Sequence, residues 1–229
     1  MQNLFQSLFA AIRDDDRAKV KALLDNDPVL AKRAVAEEDR YESRIAHWIY
    51  SGDAALHVAA AGYRVEIARM LLAAGAEPAA TRNRRRSLPL HYASDGYLAS
   101  PSWNARRQVA MIRLLLKAGT NIDAQDKNGA TPLHRAVRTR CAAAVKCLLE
   151  AGADPTIRNK PGSTPFHLAV QNTGRGGTGS EQGRTAQREI LQAFLDRGVS
   201  PTLTDAKGKS ILQWARSAWI HKILAGNAA

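Results

Sequence analysis

The chain has 229 residues, 45% of them hydrophobic, which is enough to bury a substantial core. Aromatic residues make up only 6%, a composition that suits closely packed thin helices. The formal net charge of +12 favours acidic partners, namely nucleic acid, anionic lipid or an acidic protein surface, although a solvated basic surface with no specific ligand is the alternative. No run of 18 apolar residues occurs, so we expect no membrane span.

The two cysteines, Cys141 and Cys147, both fall in one predicted helix. Six helical residues separate them by roughly 9 Å along the axis, which is beyond the reach of a disulfide. We therefore expect packing residues in a reducing, cytoplasmic compartment. Since no C-x-x-C motif or zinc-like spacing is present, we expect no bound metal.

The stretch 126–158 contains signals for two short helices. Thr131 is a predicted N-cap followed by Pro132, which lacks an N–H that would be unsatisfied there, and Gly152 supplies the left-handed residue that ends the second helix. The apolar faces comprise Leu133, Ala136, Val137, Val145, Leu148 and Leu149. Two short helices cannot bury these faces alone, so we expect copies of the pair to stack.

Further copies of this pattern are present. They carry Leu56-His57, Leu90-His91 and Thr164-Pro165-Phe166-His167, beside Thr131-Pro132-Leu133-His134 in the clearest copy. Residues from about 53 to 224 thus resemble ankyrin-repeat proteins, whose signature is T-P-L-H-x-A at a period near 33 residues. The resemblance implies an all-α solenoid of stacked helix pairs with hairpin fingers, and work in protein–protein recognition.

The resemblance divides the chain into one repeat domain with degenerate ends. The predicted segments are an N-terminal cap repeat (1–35), an enlarged finger (36–52), a repeat (53–83), a repeat with an interhelix insertion (84–125), the best repeat (126–158), a repeat with a Gly-rich interhelix insertion (159–205) and a C-terminal cap (206–229). The enlarged finger leaves room for a short extra helix. It either covers the end of the stack with Ile45, Trp48 and Ile49 or forms a partner-binding flap. The histidines recur once per repeat, so we expect them to hydrogen-bond within and between turns.

Two basic regions are candidate binding sites. Arg84, Arg85 and Arg86 crowd one connecting finger, where turns are exposed. At the edge of the interhelix turns, we hypothesise a second groove, with scattered arginines that share no site as the alternative. Its residues are Trp103, Arg106, Arg107, Arg138, Arg140 and Arg175. Arg140 stands where the family usually has Gly.

Residues 174–179 formally match G-x-G-x-x-G, but the motif follows a helix rather than a strand, so a dinucleotide site is not expected. The first functional hypothesis is a non-catalytic scaffold for an acidic protein partner. The alternatives are a nucleic-acid-binding protein and a small-anion or phosphate receptor, or an enzyme, at the Gly-rich edge. No nucleophile–base pairing is apparent in the sequence, so we expect no catalytic residues and no cofactor. For the oligomeric state, we favour a monomer.

Overall fold

The computed structural model describes residues 2–35, 39–41, 45, 47–80, 83–96, 98, 100, 103–172 and 179–226. Within these ranges the secondary structure is almost entirely helical. In chain order the elements are α1 (Gln2–Arg13), α2 (Arg17–Asn26), a 3₁₀ helix (Pro28–Lys32), β1 (Asp39–Tyr41), β2 (His47–Ile49), α3 (Ala55–Ala61), α4 (Val65–Ala73), α5 (Pro89–Ser94), α6 (Ala105–Lys117), α7 (Pro132–Arg138), α8 (Ala142–Glu150), α9 (Pro165–Ala169), α10 (Glu181–Asp196), α11 (Ile211–Trp214) and α12 (Ala218–Ala225).

The helices form two layers. Helices α1, α3, α5, α7, α9 and α11 pack side by side in the first layer, and α2, α4, α6, α8, α10 and α12 do the same in the second. Each of the first five helices of the first layer also packs on its partner in the second, as α7 does on α8. The hydrophobic core lies between the layers and runs the length of the stack. This arrangement confirms the predicted all-α solenoid of helix pairs.

Capping contacts fix where the helices begin and end. The Oγ1 of Thr131 accepts a hydrogen bond from the His134 N–H (3.4 Å), while His134 Nδ1 accepts one from the Thr131 N–H (3.1 Å). This reciprocal pair satisfies two backbone donors that the first turn of α7 leaves open. At the other end of the pair, Gly152 has φ of +92°, which an L side chain rarely adopts, and it ends α8 as predicted.

In the residues that the structure describes, the enlarged finger forms two paired strands of a β-hairpin and not the extra helix for which the sequence left room. Strands β1 and β2 pair antiparallel, with Asp39 opposite Ile49 and Tyr41 opposite His47. Aromatic and β-branched residues favour a pleated, half-buried surface, which explains the preference for strands here. Ile45 and Ile49 are buried in the core, as expected of a segment that covers the stack.

A glutamine secures each of the two enlarged interhelix turns. Gln108 of α6 donates from Nε2 to the carbonyls of Ala93 (3.1 Å) and Asp95 (3.2 Å) at the end of α5. Gln187 of α10 donates likewise to Ala169 (2.6 Å) and Gln171 (2.8 Å) at the end of α9. Both amides therefore satisfy C-terminal carbonyls that a helix cannot satisfy by itself.

Both cysteines are buried with free thiols, which confirms their packing role. Cys141 is the N-cap of α8 and Cys147 lies within that helix, so only one of them is helical. Among the helices that the structure describes, none is both long and apolar enough to cross a membrane.

Candidate partner-binding site

A cavity of about 230 Å³ opens where the ends of α3, α5 and α7 meet two connecting fingers. Its lining residues with a carboxylate, guanidinium or imidazole group are His47, Arg85, Asp95, Arg135 and Arg138. The first two come from fingers, Asp95 is the C-cap of α5, and the last two lie on α7. The stacking of repeats thus brings together residues that are up to 91 positions apart in sequence.

Asp95 is the anionic centre of this cavity, which we call the Asp95 cavity. Its carboxylate accepts hydrogen bonds from Arg135 Nη1 (2.7 Å) and His47 Nε2 (3.3 Å), and Arg138 Nη2 approaches to 3.5 Å. Burial by itself raises the pKa of Asp95. The hydrogen bond from His47 and the charge of Arg135 together outweigh burial and hold that pKa below its ordinary value. Asp95 is therefore ionised at neutral pH.

Arg135 is an almost fully buried cation, with 3% of its side chain exposed. Besides Asp95, it donates from Nη2 to Asp126 (2.6 Å) and to the hydroxyl of Ser87 (3.1 Å). Two carboxylates thus share one guanidinium, which compensates its charge inside the protein. Arg135 is therefore a structural part of the cavity wall, and its guanidinium is already paired with carboxylates of the protein and does not bind a ligand.

A second buried hydrogen-bond network, formed by Asp53, Tyr92 and the backbone of Tyr50, lies next to the cavity. The hydroxyl of Tyr92 lies within hydrogen-bond distance of both carboxylate oxygens of Asp53 (2.9 and 2.7 Å). The same carboxylate accepts from the Tyr50 N–H at 2.8 Å. The ring of His47 lies 4.3 Å from that of Tyr92, centroid to centroid. The end of the hairpin is thereby fixed over α5, which positions Tyr50 and His47 at the rim.

Arg85 and Arg138 are the two cations at the rim of the cavity. Arg85 donates from Nη1 to the hydroxyl of Tyr50 (2.6 Å), and its guanidinium carbon lies 5.0 Å from that ring's centroid. No carboxylate pairs with Arg85 among the residues that the structure describes. The side chain of Arg138 is 56% exposed, and its contact with Asp95 is loose. The rim therefore presents two guanidinium groups, one of them in a loose ion pair with Asp95.

The other arginines predicted on the finger remain at the surface. Arg84 and Arg86 are exposed beside Arg85, and Arg86 adopts a φ of +52°. Arg85 and Arg138 thus line one cavity, although the sequence suggested that they belong to opposite edges of the stack.

The structure does not gather the remaining predicted edge residues with Arg138. Trp103 and Arg140 line a separate cavity of about 500 Å³ between the beginnings of α6, α8 and α10. Arg106 and Arg107 are exposed on the first turn of α6 and line a further depression near α4. Arg175 lies outside the described residues, as does most of the Gly-rich motif.

Arg140 has an architectural position that sequence alone did not suggest. Its guanidinium donates to the carbonyls of Ala169 (3.1 Å) and Gln171 (2.7 Å), which end α9. Its φ of +61° occupies the left-handed region where the family has Gly. Burial lowers the pKa of Arg140 to about 10, so it remains charged at neutral pH.

In the ranges described above, no three side chains of the His, Cys, Asp or Glu type come together in an arrangement that could hold an ion. The four recurrent histidines instead make structural bonds, as predicted. His134 Nε2, for example, donates to the Ser163 carbonyl of the next repeat (3.1 Å), as His57 Nε2 does to Ser87 (3.0 Å).

Comparison with protein families agrees with this architecture. A family model described as ankyrin repeats (3 copies) matches residues 103–178, and a model described as ankyrin repeat matches residues 51–83. The chain contains ankyrin repeats. A comparison with curated proteins found no match to it. Ankyrin repeats generally mediate protein–protein interaction, and the family match indicates this general role without naming a partner.

The ankyrin signature did not reveal the Asp95–Arg135–Asp126 cluster. One signal was nevertheless present in the sequence. The residue after the recurrent His is Val58, Tyr92 and Leu168 in the other repeats, but it is Arg135 in the best one. A charge in a place otherwise filled by large, mainly apolar side chains indicates a buried partner of opposite sign.

Proposed function

We propose that this ankyrin-repeat protein is a non-catalytic scaffold that binds an acidic protein partner through its basic finger and interhelix-turn surfaces. The observation that carries the proposal is the Asp95 cavity, where the guanidinium groups of Arg85 and of the largely exposed Arg138 stand together at the rim. A carboxylate of the partner would replace water at this rim and form charge-assisted hydrogen bonds with both guanidinium groups.

The surroundings of the two arginines favour a protein side chain as the ligand. Tyr50 and Tyr63 flank the cavity, so an entering Glu or Asp would contact aromatic rings with its methylene groups. Tyr50 also holds the Arg85 guanidinium in place, which lowers the entropy lost on binding. The finger residues Arg84 and Arg86 would extend the contact to further acidic residues of the partner.

Peptide binding tests this function. The probes are fluorescein-labelled 15-residue peptides with Glu or Asp among apolar residues, and the same peptides with Gln or Asn instead. We expect fluorescence anisotropy to show preferential binding of the acidic set, weakened at least tenfold in the double variant Arg85→Ala/Arg138→Ala. Arg197→Ala/Lys222→Ala, which removes two exposed charges elsewhere, is the matched control.

Three results would overturn the proposal. One is equal binding of acidic and amide peptides, and another is unchanged affinity in the double variant. The third is tighter binding of mixed-sequence duplex DNA or of inorganic phosphate than of any acidic peptide, which would favour the nucleic-acid or small-anion function. Because Arg85 also contacts Tyr50, the single variant Arg138→Ala, at an exposed position, separates lost binding from altered folding.

We further propose a monomer in a reducing, cytoplasmic compartment. The two buried free thiols support the compartment, since neither is placed to form a disulfide. Light scattering of the purified chain would measure the mass of the particle. A dimer at micromolar concentration would show that the proposal of a monomer is wrong.

A further inference from the structure

Helix α6 has a second stripe of residues besides the one that faces the core. Gln108, Met111, Ile112 and Leu115 are its buried residues. The outward stripe holds Arg106, Val109, Ala110, Arg113, Leu114 and Lys117, which recur at intervals of three and four and so lie on one face. Cations and small or branched apolar residues therefore alternate along about 16 Å of helix surface.

This stripe lies in a groove of about 590 Å³ on the second layer of the solenoid. Arg69 of α4 stands on one side and Ala143 of α8 on the other. The groove lies on the other layer from the Asp95 cavity, and no residue lines both. We call it the α6 groove.

The α6 groove is cationic along its whole length. Its lining contains four cations and no carboxylate among the residues that the structure describes. Arg69 is partly compensated by Glu66 at 3.4 Å, an exposed pair of small energetic value. Arg113 approaches the thiol of Cys147 and lowers the pKa of that thiol, although burial outweighs this effect and raises it. In the described part of the chain, Arg106, Arg113 and Lys117 form no ion pair.

The floor of the groove is apolar and partly accessible. Val109 and Leu114 are half-buried and pack against the core from outside, while Ala110 is exposed between them. A concave strip of small and branched apolar side chains bordered by cations is the complement of an amphipathic helix with acidic flanks. Such a helix places apolar residues at i, i+3 or i+4 and i+7 on the floor, and carboxylates against the guanidinium and ammonium groups.

We propose that the α6 groove is a second docking site, which takes an acidic amphipathic helix of a partner protein. A nucleic-acid duplex fits less well, because its phosphates would cover the apolar floor without burying apolar surface of their own. A bilayer surface also fits less well, since it is flat on this scale and the floor is recessed. The site goes beyond the proposed function, because it uses different residues on the other layer.

The test uses the intact protein and a fluorescein-labelled 14-residue helical peptide with Leu at positions 4, 7, 8 and 11 and Glu beside them. Comparison probes are the peptide with Gln for Glu and a peptide of the same composition in scrambled order. We expect micromolar binding of the first peptide only, at least tenfold weaker in Arg113→Ala/Lys117→Ala and unchanged in Arg85→Ala/Arg138→Ala. Both double variants remove two positive charges, so net charge is matched.

The pattern of losses separates this site from the Asp95 cavity. If Arg85→Ala/Arg138→Ala abolishes binding of the helical peptide while Arg113→Ala/Lys117→Ala leaves it unchanged, the α6 groove is not the docking site, and the proposed function stands. Equal binding of the scrambled peptide would mean that the groove recognises only negative charge, and the proposal of an amphipathic helix as the ligand would be wrong. If duplex DNA or vesicles with 30% phosphatidylserine bound more tightly than the helical peptide, and if this binding required Arg113, the proposal of a protein partner would be wrong.

Discussion

Each of the four recurrent histidines is a neutral side chain held between two repeats. Burial is the largest influence on all four and lowers their pKa, for His91 and His134 to about 4. The unfolded chain binds a proton on histidine near pH 6.5, whereas His91 and His134 in the folded protein do so only near pH 4. Between these values the unfolded state holds more protons, so stability falls as the pH is lowered from 7 towards 4.

The first prediction follows from this linkage. We expect acidification from pH 7 to pH 5 to cost about 2 kcal/mol of unfolding free energy for each histidine with a pKa near 4. The variant His134→Gln should be less stable at pH 7, but its unfolding free energy should change less between pH 7 and pH 5, because the contribution of His134 is gone. Gln213 already occupies the equivalent place in the last repeat, where its Oε1 accepts from the Ser210 N–H at 2.8 Å. Urea unfolding at both pH values is the measurement.

The exposed His221 provides the control for this prediction. His221→Gln replaces a histidine that is not buried between repeats, so it measures the effect of the substitution itself. If His134→Gln retains the full difference, the buried histidine is not responsible for it.

Arg135 illustrates how one buried charge depends on its partners. Replacing it by Leu leaves the carboxylates of Asp95 and Asp126 without their shared cation, which we expect to cost about 3–5 kcal/mol at pH 7. Without the charge of Arg135, the pKa of Asp95 is higher in the variant than in the unchanged protein. The unchanged protein loses the stability that the lowered pKa provides as the pH falls below about 5, so the deficit of the variant should shrink there. Denaturant unfolding of Arg138→Leu, on the same helix but exposed, should differ from the unchanged protein by under about 1 kcal/mol.

At the scale of the element, helix α8 is stabilised mainly by the face that it buries. Leu148 is fully buried between the layers. Leu148→Ala is expected to cost about 2–5 kcal/mol, because the stacked repeats on either side cannot collapse into the space. Leu4→Ala is the matched control, since Leu4 is 38% exposed on α1 and should lose far less. Similar losses for both in chemical denaturation would contradict the burial of Leu148.

The helix pairs were predictable from sequence because each carries its own local signals. A capping Thr, a Pro in the first turn and a left-handed Gly act within a few residues, so their effects do not depend on distant parts of the chain. The hairpin β1–β2 was not predictable, since its pairing depends on the core surface that receives Ile45 and Ile49. The Asp95 cavity was only partly predictable for the same reason. Arg85 and Arg138 drew attention through composition, but Arg135 and Asp95 meet across 40 residues of chain.

At the scale of the whole molecule, the solenoid gives its middle more neighbours than its ends. Helix α7 packs on α5 and α9 as well as on α8, whereas α12 packs mainly on α10. Stability in such an array is a sum of repeat and interface contributions. We therefore expect native-state hydrogen exchange to show the slowest amides in α7 and α8 and faster opening in α1 and α12. Uniform protection from end to end would instead indicate a single cooperative unit.

The glutamines at the two enlarged turns have a consequence for how this chain can change. Gln108 and Gln187 close the ends of α5 and α9 with amides that belong to the following helix, not to the turn. The tips of turns are where proteins best tolerate insertions, and these helix ends keep their closure when the tip is changed. Foreign peptide segments can therefore be inserted in these two turns, provided that Leu98 and Trp103, which pack on the core, are kept.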